Sequence, residues 1–109
     1  MPTGRLNTAN VTNTNATTAY TVPAATFAVV SVNIVNRSSS ASALIRLAVA
    51  TSATPAADEW IEFDSSLVAN GVLERTGIVV KTGELIVIQT TTATPSLSVV
   101  VYGIETSTA

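Results

Sequence analysis

The stretch FAVVSVNIVN, residues 27–36, decides the fold class of this chain. Apolar side chains recur at every second position along one side of it, at Ala28, Val30, Val32 and Ile34. Ser31 and Asn33 fall on the other side. A period of two places alternate side chains on opposite faces of a β-strand, whereas an amphipathic helix needs a period of about 3.6. The stretch therefore predicts a strand with one face in a core.

The same kind of signal extends in both directions from this strand. Val, Ile and Thr, the β-branched residues, make up 40 of the 109 residues, and they fit a pleated surface better than a helix. Between clusters of turn-forming residues, further strands are predicted at Ala19–Val22, Ala43–Thr51, Trp60–Asp64, Val72–Val80, Leu85–Gln89 and Leu97–Ile104. We expect an all-β fold, an antiparallel β-sandwich that is jelly-roll-like and has about eight strands.

Turn residues and the two chain ends set the expected limits of the domain. Residues 17–105 are expected to form a single β-sandwich domain, preceded at 1–16 by an extended N-terminal arm or a loosely held strand, and followed at 106–109 by a flexible tail. The polar run Arg37–Ser40 is expected to join two alternating strands into an antiparallel hairpin. Asn70-Gly71 predicts another turn, and Gly77 predicts a bulge inside a strand.

The composition excludes several kinds of chemistry. The chain has no His and no Cys, which rules out sites that depend on imidazole or thiolate. Charged residues make up 11% of the chain against 47% apolar residues, and the net charge is −2 without a basic cluster. We therefore expect no enzymatic activity, no cofactor and no nucleic-acid partner. No apolar run approaches the roughly 18 residues of a membrane helix, so no membrane partner is expected either.

Four acidic residues lie close together between 58 and 64. In a regular strand, Glu62 and Asp64 would point to the same side, roughly 6 to 7 Å apart. Together with Asp58 they are the candidates for a Ca²⁺ site, and as a pair they have the chemistry of glycoside hydrolysis. The favoured interpretation is a solvated strand face, or ion pairs with Arg46 or Arg75 across the sheet.

Two predicted strands are apolar on both sides, at Leu85–Ile88 and Val99–Tyr102. In an antiparallel sandwich, one of those sides would meet water unless something covers it. The N-terminal arm or a loop is one candidate cover, and another subunit is the favoured one. The predicted interface residues are Leu6, Val11, Ile86, Ile88, Val100 and Tyr102. The expected partner is a further copy of the chain, which gives a homo-oligomer.

Trp60 suggests a different hypothesis, the binding of a glycan. Indole and phenol rings stack on sugars, and the acidic strand face would hold Ca²⁺ beside them. A stacking platform normally needs two or three aromatic rings side by side, and the chain has only five aromatic residues. Core or interface positions are therefore the favoured interpretation of these rings.

Four segments carry a resemblance to a known family: YTVPA at 20–24, AVVSVNIVN at 28–36, GVLERTGI at 71–78 and VVVYGIE at 99–105. Over residues 17–105 the chain resembles small virion structural proteins of tailed bacteriophages, particularly those of marine and cyanobacterial phages. The resemblance implies a non-enzymatic capsid decoration (cement) protein, made in the host cytoplasm and located in the virion. Its partners would be the major capsid protein or other virion structural proteins. A neck, tail or fibre component, or a glycan-binding module for host recognition, is the alternative.

Overall fold

Eight antiparallel strands account for most of the chain. The structure, a computed structural model, describes residues 3–108. The strands are β1 (Thr3–Val11), β2 (Thr17–Thr21), β3 (Thr26–Asn36), β4 (Ala43–Ala50), β5 (Trp60–Leu67), β6 (Val72–Val80), β7 (Leu85–Thr90) and β8 (Leu97–Ser107). These residues contain no helix, and therefore none that is long and apolar enough to cross a membrane. The predicted all-β class is confirmed.

The strands form two packed sheets of four. The order is β1-β8-β3-β6 in one sheet, called the front sheet here, and β2-β7-β4-β5 in the other, the rear sheet. This is the order of a jelly roll, in which the chain passes from one sheet to the other at almost every connection. Within residues 3–108, β4 and β5 are the only consecutive strands that pair with each other. The predicted β-sandwich is confirmed.

The connection from β3 to β4 differs from the prediction of a hairpin. β3 pairs with β6 and β8, whereas β4 pairs with β5 and β7, so the Arg37–Ser40 turn passes between sheets. A polar turn between two alternating strands has the same sequence pattern whether the strands pair or face each other across a core. The side chain of Asn36 determines the path, because its amide donates to the carbonyls of Ala41 at 2.9 Å and Leu67 at 3.1 Å.

The core lies between the two sheets and is built from the alternating positions. The β3 residues predicted to face inward, Ala28, Val30, Val32 and Ile34, are at most 1% exposed. They belong to one apolar cluster with Ile45 and Leu47 of β4, and with Ile86 and Ile88 of β7. Full burial of a Val, Leu or Ile side chain contributes about 1.5 to 3 kcal/mol, so these positions dominate the stability of the sandwich.

Two polar contacts join the sheets as well. The Tyr20 hydroxyl of β2 donates a hydrogen bond to the Glu105 carboxylate of β8, and both residues are buried. At the edge of the sandwich, Arg75 of β6 lies 2.7 Å from the Glu62 carboxylate of β5. The first contact sits inside the core and the second closes its side, so together they fix how one sheet lies on the other.

The first and last described segments of the chain are both paired. Residues 1–16 were expected to form either an extended arm or a loosely held strand. The described part, from residue 3 onward, contains a strand, β1, which runs antiparallel to β8. In the segment 106–108, which belongs to the expected tail, β8 continues through Ser107, and the Thr108 amide donates to the Ala25 carbonyl at 2.9 Å. Met1, Pro2 and Ala109, which belong to these predicted segments, lie outside the described residues.

The predicted bulge and turn are both confirmed. Gly77 has a φ of 69°, and the β3–β6 register shifts opposite it, between Val30 and Val32. Asn70 has a φ of 59°, the left-handed conformation that Asn tolerates better than most residues. The turn that it forms leads from the rear sheet into the front sheet.

Candidate functional site

The three metal candidates Asp58, Glu62 and Asp64 do not converge on one site, and two of them bind different arginines. Asp64 binds Arg46 at 2.7 Å, and Glu62 binds Arg75 at 2.7 Å and also accepts a hydrogen bond from Ser65. Asp58 lies exposed on the loop before β5. No group of three or more acidic side chains within residues 3–108 is placed to hold a metal ion. Ion pairing with Arg46 and Arg75, the favoured interpretation, is what the structure has.

Asp64 interrupts the regular geometry of β5. Its φ is 55°, and the β4–β5 register shifts between Ile45 and Leu47, opposite this point. Arg46 contacts both carboxylate oxygens, at 2.7 and 3.3 Å, and its hydrogen bond holds the pKa of the Asp64 carboxyl below its usual value. A second register shift, between Leu47 and Ala48, leaves Ile61 as an extra residue on β5, so Phe63 lies on the same side of the strand as Trp60 instead of facing the same way as Ile61.

An open depression of about 600 Å³ results on the outer side of the rear sheet. It is lined by Arg46, Pro55, Ala57, Trp60 and Phe63. The Trp60 and Phe63 rings meet edge to face, 5.9 Å between centroids, and the guanidinium carbon of Arg46 lies 4.0 Å from the centre of the Phe63 ring. Sequence alternation missed this aromatic pair, because residues three apart in a regular strand point to opposite faces.

The outward side of β7 is covered by the chain itself. Val87 is completely buried there, in a small cluster with Ala48 and Ala50, against which Trp60 and Leu85 pack. For this strand the structure therefore supports intramolecular cover rather than a second subunit. Ile86 and Ile88, named as interface residues from the sequence, point into the core of their own sandwich and are fully buried. They offer no surface to a neighbour.

The outward side of the front sheet, called the front face below, is different. Most of the large apolar side chains that are exposed in residues 3–108 lie on it: Phe27, Val29, Val72, Val79 and Ile104. Cross-strand pairing places Val79, Val29 and Ile104 side by side on β6, β3 and β8. Contiguous apolar surface of this kind marks interaction sites more often than isolated exposed residues do.

Polar groups occupy the middle of the front face. The Tyr102 hydroxyl donates to the Glu74 carboxylate, and this hydrogen bond raises the pKa of Tyr102. Arg5 pairs across the sheet with Tyr102 and is exposed, with no ion-pair partner among residues 3–108. Asn33 pairs with Glu74 and Val100, and its side-chain oxygen is buried without a hydrogen-bond partner. Arg5 and Glu74 thus place a positive and a negative group near opposite edges of the face.

The remaining predicted interface residues divide between this face and the core. Val100 and Tyr102 alternate with the buried Val99 and Val101, so they lie on the front face and are half-buried. Leu6 packs against the core from β1, and Val11 is 1% exposed inside it. The sequence therefore located two residues of the exposed face, and the structure adds its apolar row.

Comparisons with known proteins leave the function to be argued from these surfaces. No family model, no curated protein and no solved structure matches this chain.

Proposed function

We propose that this protein is a non-enzymatic structural subunit that assembles with further copies of itself through the front face, and that it does so as a decoration protein on a bacteriophage capsid. The observation that carries the proposal is the exposed apolar row of Val79, Val29 and Ile104 on a sheet whose other side is already occupied by the core. The Val100 and Tyr102 side chains extend the same face.

The size of the front face supports association. Four strands about 4.8 Å apart and about 30 Å long outline roughly 600 Å². Removing half of that area from water as apolar surface contributes about 7 kcal/mol for each partner and about 15 kcal/mol for the two together, which is comparable to the upper end of the cost of bringing two molecules together. A single contact of this strength is modest, whereas an array of copies on a shell engages many contacts at once. A coat subunit can use such a face where a soluble monomer has no need of it.

The assembly part of the proposal is tested with two equally exposed valines. Val79 on the front face is 67% exposed, and Val68, beyond the end of β5, is 62% exposed. We expect sedimentation velocity to show concentration-dependent oligomers for the wild type and for Val68→Asp, and monomers for Val79→Asp. A wild-type protein that stays monomeric at all concentrations, or a Val79→Asp variant that associates as well as Val68→Asp, contradicts it.

The capsid part requires a shell. The protein is mixed with purified capsids of the phage that encodes it, and the capsids are pelleted. The amount of protein in the pellet, relative to the major capsid protein, should rise with its concentration and then saturate. Absence of the protein from the pellet contradicts a decoration role. Binding to isolated necks, tails or fibres instead would assign the protein to another layer of the virion.

The depression beside Trp60 favours a second candidate function, the binding of a neutral glycan. Trp60 and Phe63 offer ring surface, and Asp64 neutralises the Arg46 guanidinium, whose remaining N–H groups are donors suited to hydroxyl oxygens. The acidic residues on β5 and on the loop before it disfavour anionic sugars.

Because Trp60 is the single tryptophan, its fluorescence reports on the depression alone. Titration with maltohexaose, cellohexaose and chitohexaose should give a saturable change in at least one case, which Phe63→Ala removes and Phe27→Ala on the front face preserves. Unchanged fluorescence with all three sugars at millimolar concentration contradicts glycan binding.

A further inference from the structure

We propose that two copies of the chain pack front face to front face about a twofold axis parallel to the strands, with Arg5 of each copy opposite the partner's Glu74. The inference rests on the proposed function and specifies the contact through which assembly occurs. It follows from how the residues are placed on the four strands, which run in the order β1-β8-β3-β6.

A twofold axis along the strands reverses their order across the interface. β8 then lies over the partner's β3, and β1 lies over the partner's β6. Positions along the strands are kept, so the apolar row meets itself: Val29 lies over the partner's Ile104, and Ile104 over the partner's Val29. An axis across the strands, at full overlap, would instead place this row against the row that contains Asn33 and Glu74.

The charges select the same axis. Arg5 is on β1 and Glu74 is on β6, at opposite edges of the sheet. Cross-strand pairing places them in adjacent rows, because Arg5 pairs with Tyr102, whereas Glu74 and Val100 both pair with Asn33. That offset is about 7 Å along the strand, within reach of an arginine side chain. An axis across the strands would put Arg5 over the partner's Arg5.

The area is sufficient for a weak specific dimer. Two faces of roughly 600 Å² bury about 1,200 Å² together, the lower end of the range for stable protein interfaces. Sheets that pack face to face align within about 30°, which a strand-parallel twofold axis permits. Symmetry makes the Arg5 contact occur twice in each dimer, so a single substitution changes both contacts.

A charge exchange tests the axis. In sedimentation equilibrium, Arg5→Glu and Glu74→Arg should each raise the dissociation constant of the dimer by about tenfold, because two contacts become repulsive. The double variant Arg5→Glu/Glu74→Arg should restore dimerisation to within about threefold of the wild type. Asp58→Arg, which makes the same charge change as Glu74→Arg on the exposed loop before β5, should leave the dimer intact.

Cysteine cross-linking gives an independent readout, since the chain has no Cys of its own. A mixture of Val29→Cys and Ile104→Cys proteins should form mixed disulfide dimers faster than either variant alone. The axis is overturned if the wild type dimerises but the double charge exchange does not restore dimerisation, or if the cross-links form without this preference. Assembly through the front face would still stand in either case. A wild type that remains monomeric yet pellets with capsids overturns the dimer while a decoration role persists.

Discussion

Asn36 and Asn33 occupy opposite sides of the same strand and should respond to alanine substitution to very different extents. Asn36 is 1% exposed, and its amide nitrogen lies 2.9, 3.1 and 3.3 Å from the carbonyl oxygens of Ala41, Leu67 and Val68. Its side-chain oxygen accepts from the Ser38 amide at 3.1 Å. These contacts join the β3–β4 corner to the turn that follows β5.

The magnitude follows from the number of hydrogen bonds that can form. The amide of Asn36 has two N–H groups for three carbonyls, so it donates about two full bonds and accepts one. At about 1 kcal/mol net for each bond, Asn36→Ala should destabilise the protein by about 3 kcal/mol. At Asn33 the side-chain oxygen is already buried without a partner, so Asn33→Ala removes an unfavourable group along with the packing of the side chain. We expect a change within about 1 kcal/mol there.

The assay is urea unfolding at one protein concentration, followed by the fluorescence of Trp60, with linear extrapolation to water. Both variants carry the same substitution on β3, so the effect of lower strand propensity largely cancels between them. Should Asn36→Ala prove too unstable to purify, its loss of soluble yield beside a normally folded Asn33→Ala protein is the same result. Equal losses for Asn36→Ala and Asn33→Ala would refute the reasoning.

Two further predictions concern β8 and the core. Gly103→Ala should cost at least about 4 kcal/mol or prevent folding, because a Cβ there would lie 2.0 Å from the Val29 carbonyl oxygen; soluble yield and the urea midpoint measure this. Burial, and then the hydrogen bond to Glu105, raise the pKa of Tyr20 above its ordinary 10.0. The folded protein therefore keeps a proton that the unfolded chain loses, so wild-type stability should fall above pH 10 by up to about 1.4 kcal/mol per pH unit more than that of Tyr20→Phe. Parallel pH profiles of urea unfolding for the two proteins would contradict the assignment.

The candidate site was only partly predictable from the sequence. Val100 and Tyr102 were named as interface residues from the sequence, and both lie on the outward side of the front sheet. Ile86 and Ile88 were named with them, whereas they face the core and it is Val87 that points outward, under cover of Ala48 and Trp60. A strand that is apolar on both sides indicates that neither of its faces contacts water. The local sequence does not show which part of the protein, or which partner, covers each face.

The depression beside Trp60 could not be found from periodicity at all. It exists because the β4–β5 register shifts twice, at Ile61 and at Asp64, so that Phe63 lies on the same side of β5 as Trp60. No rule for strands places a left-handed residue at an aspartate in the middle of one. The conformation coincides with contacts from Asp64 to Arg46 on the neighbouring strand, a partner 18 residues away in the chain.

What the sequence by itself determined is the local geometry: the strand at residues 27–36, its inward residues, the bulge at Gly77 and the turn at Asn70. These depend on backbone preferences and on a period of two, which act over a few residues. The tertiary structure alone decided that β3 pairs with β8 and β6 rather than β4, and which outward side stays exposed. Pairing and cover arise from contacts between residues far apart in the chain. Their free energy depends on which surfaces meet, and a local pattern does not contain that information.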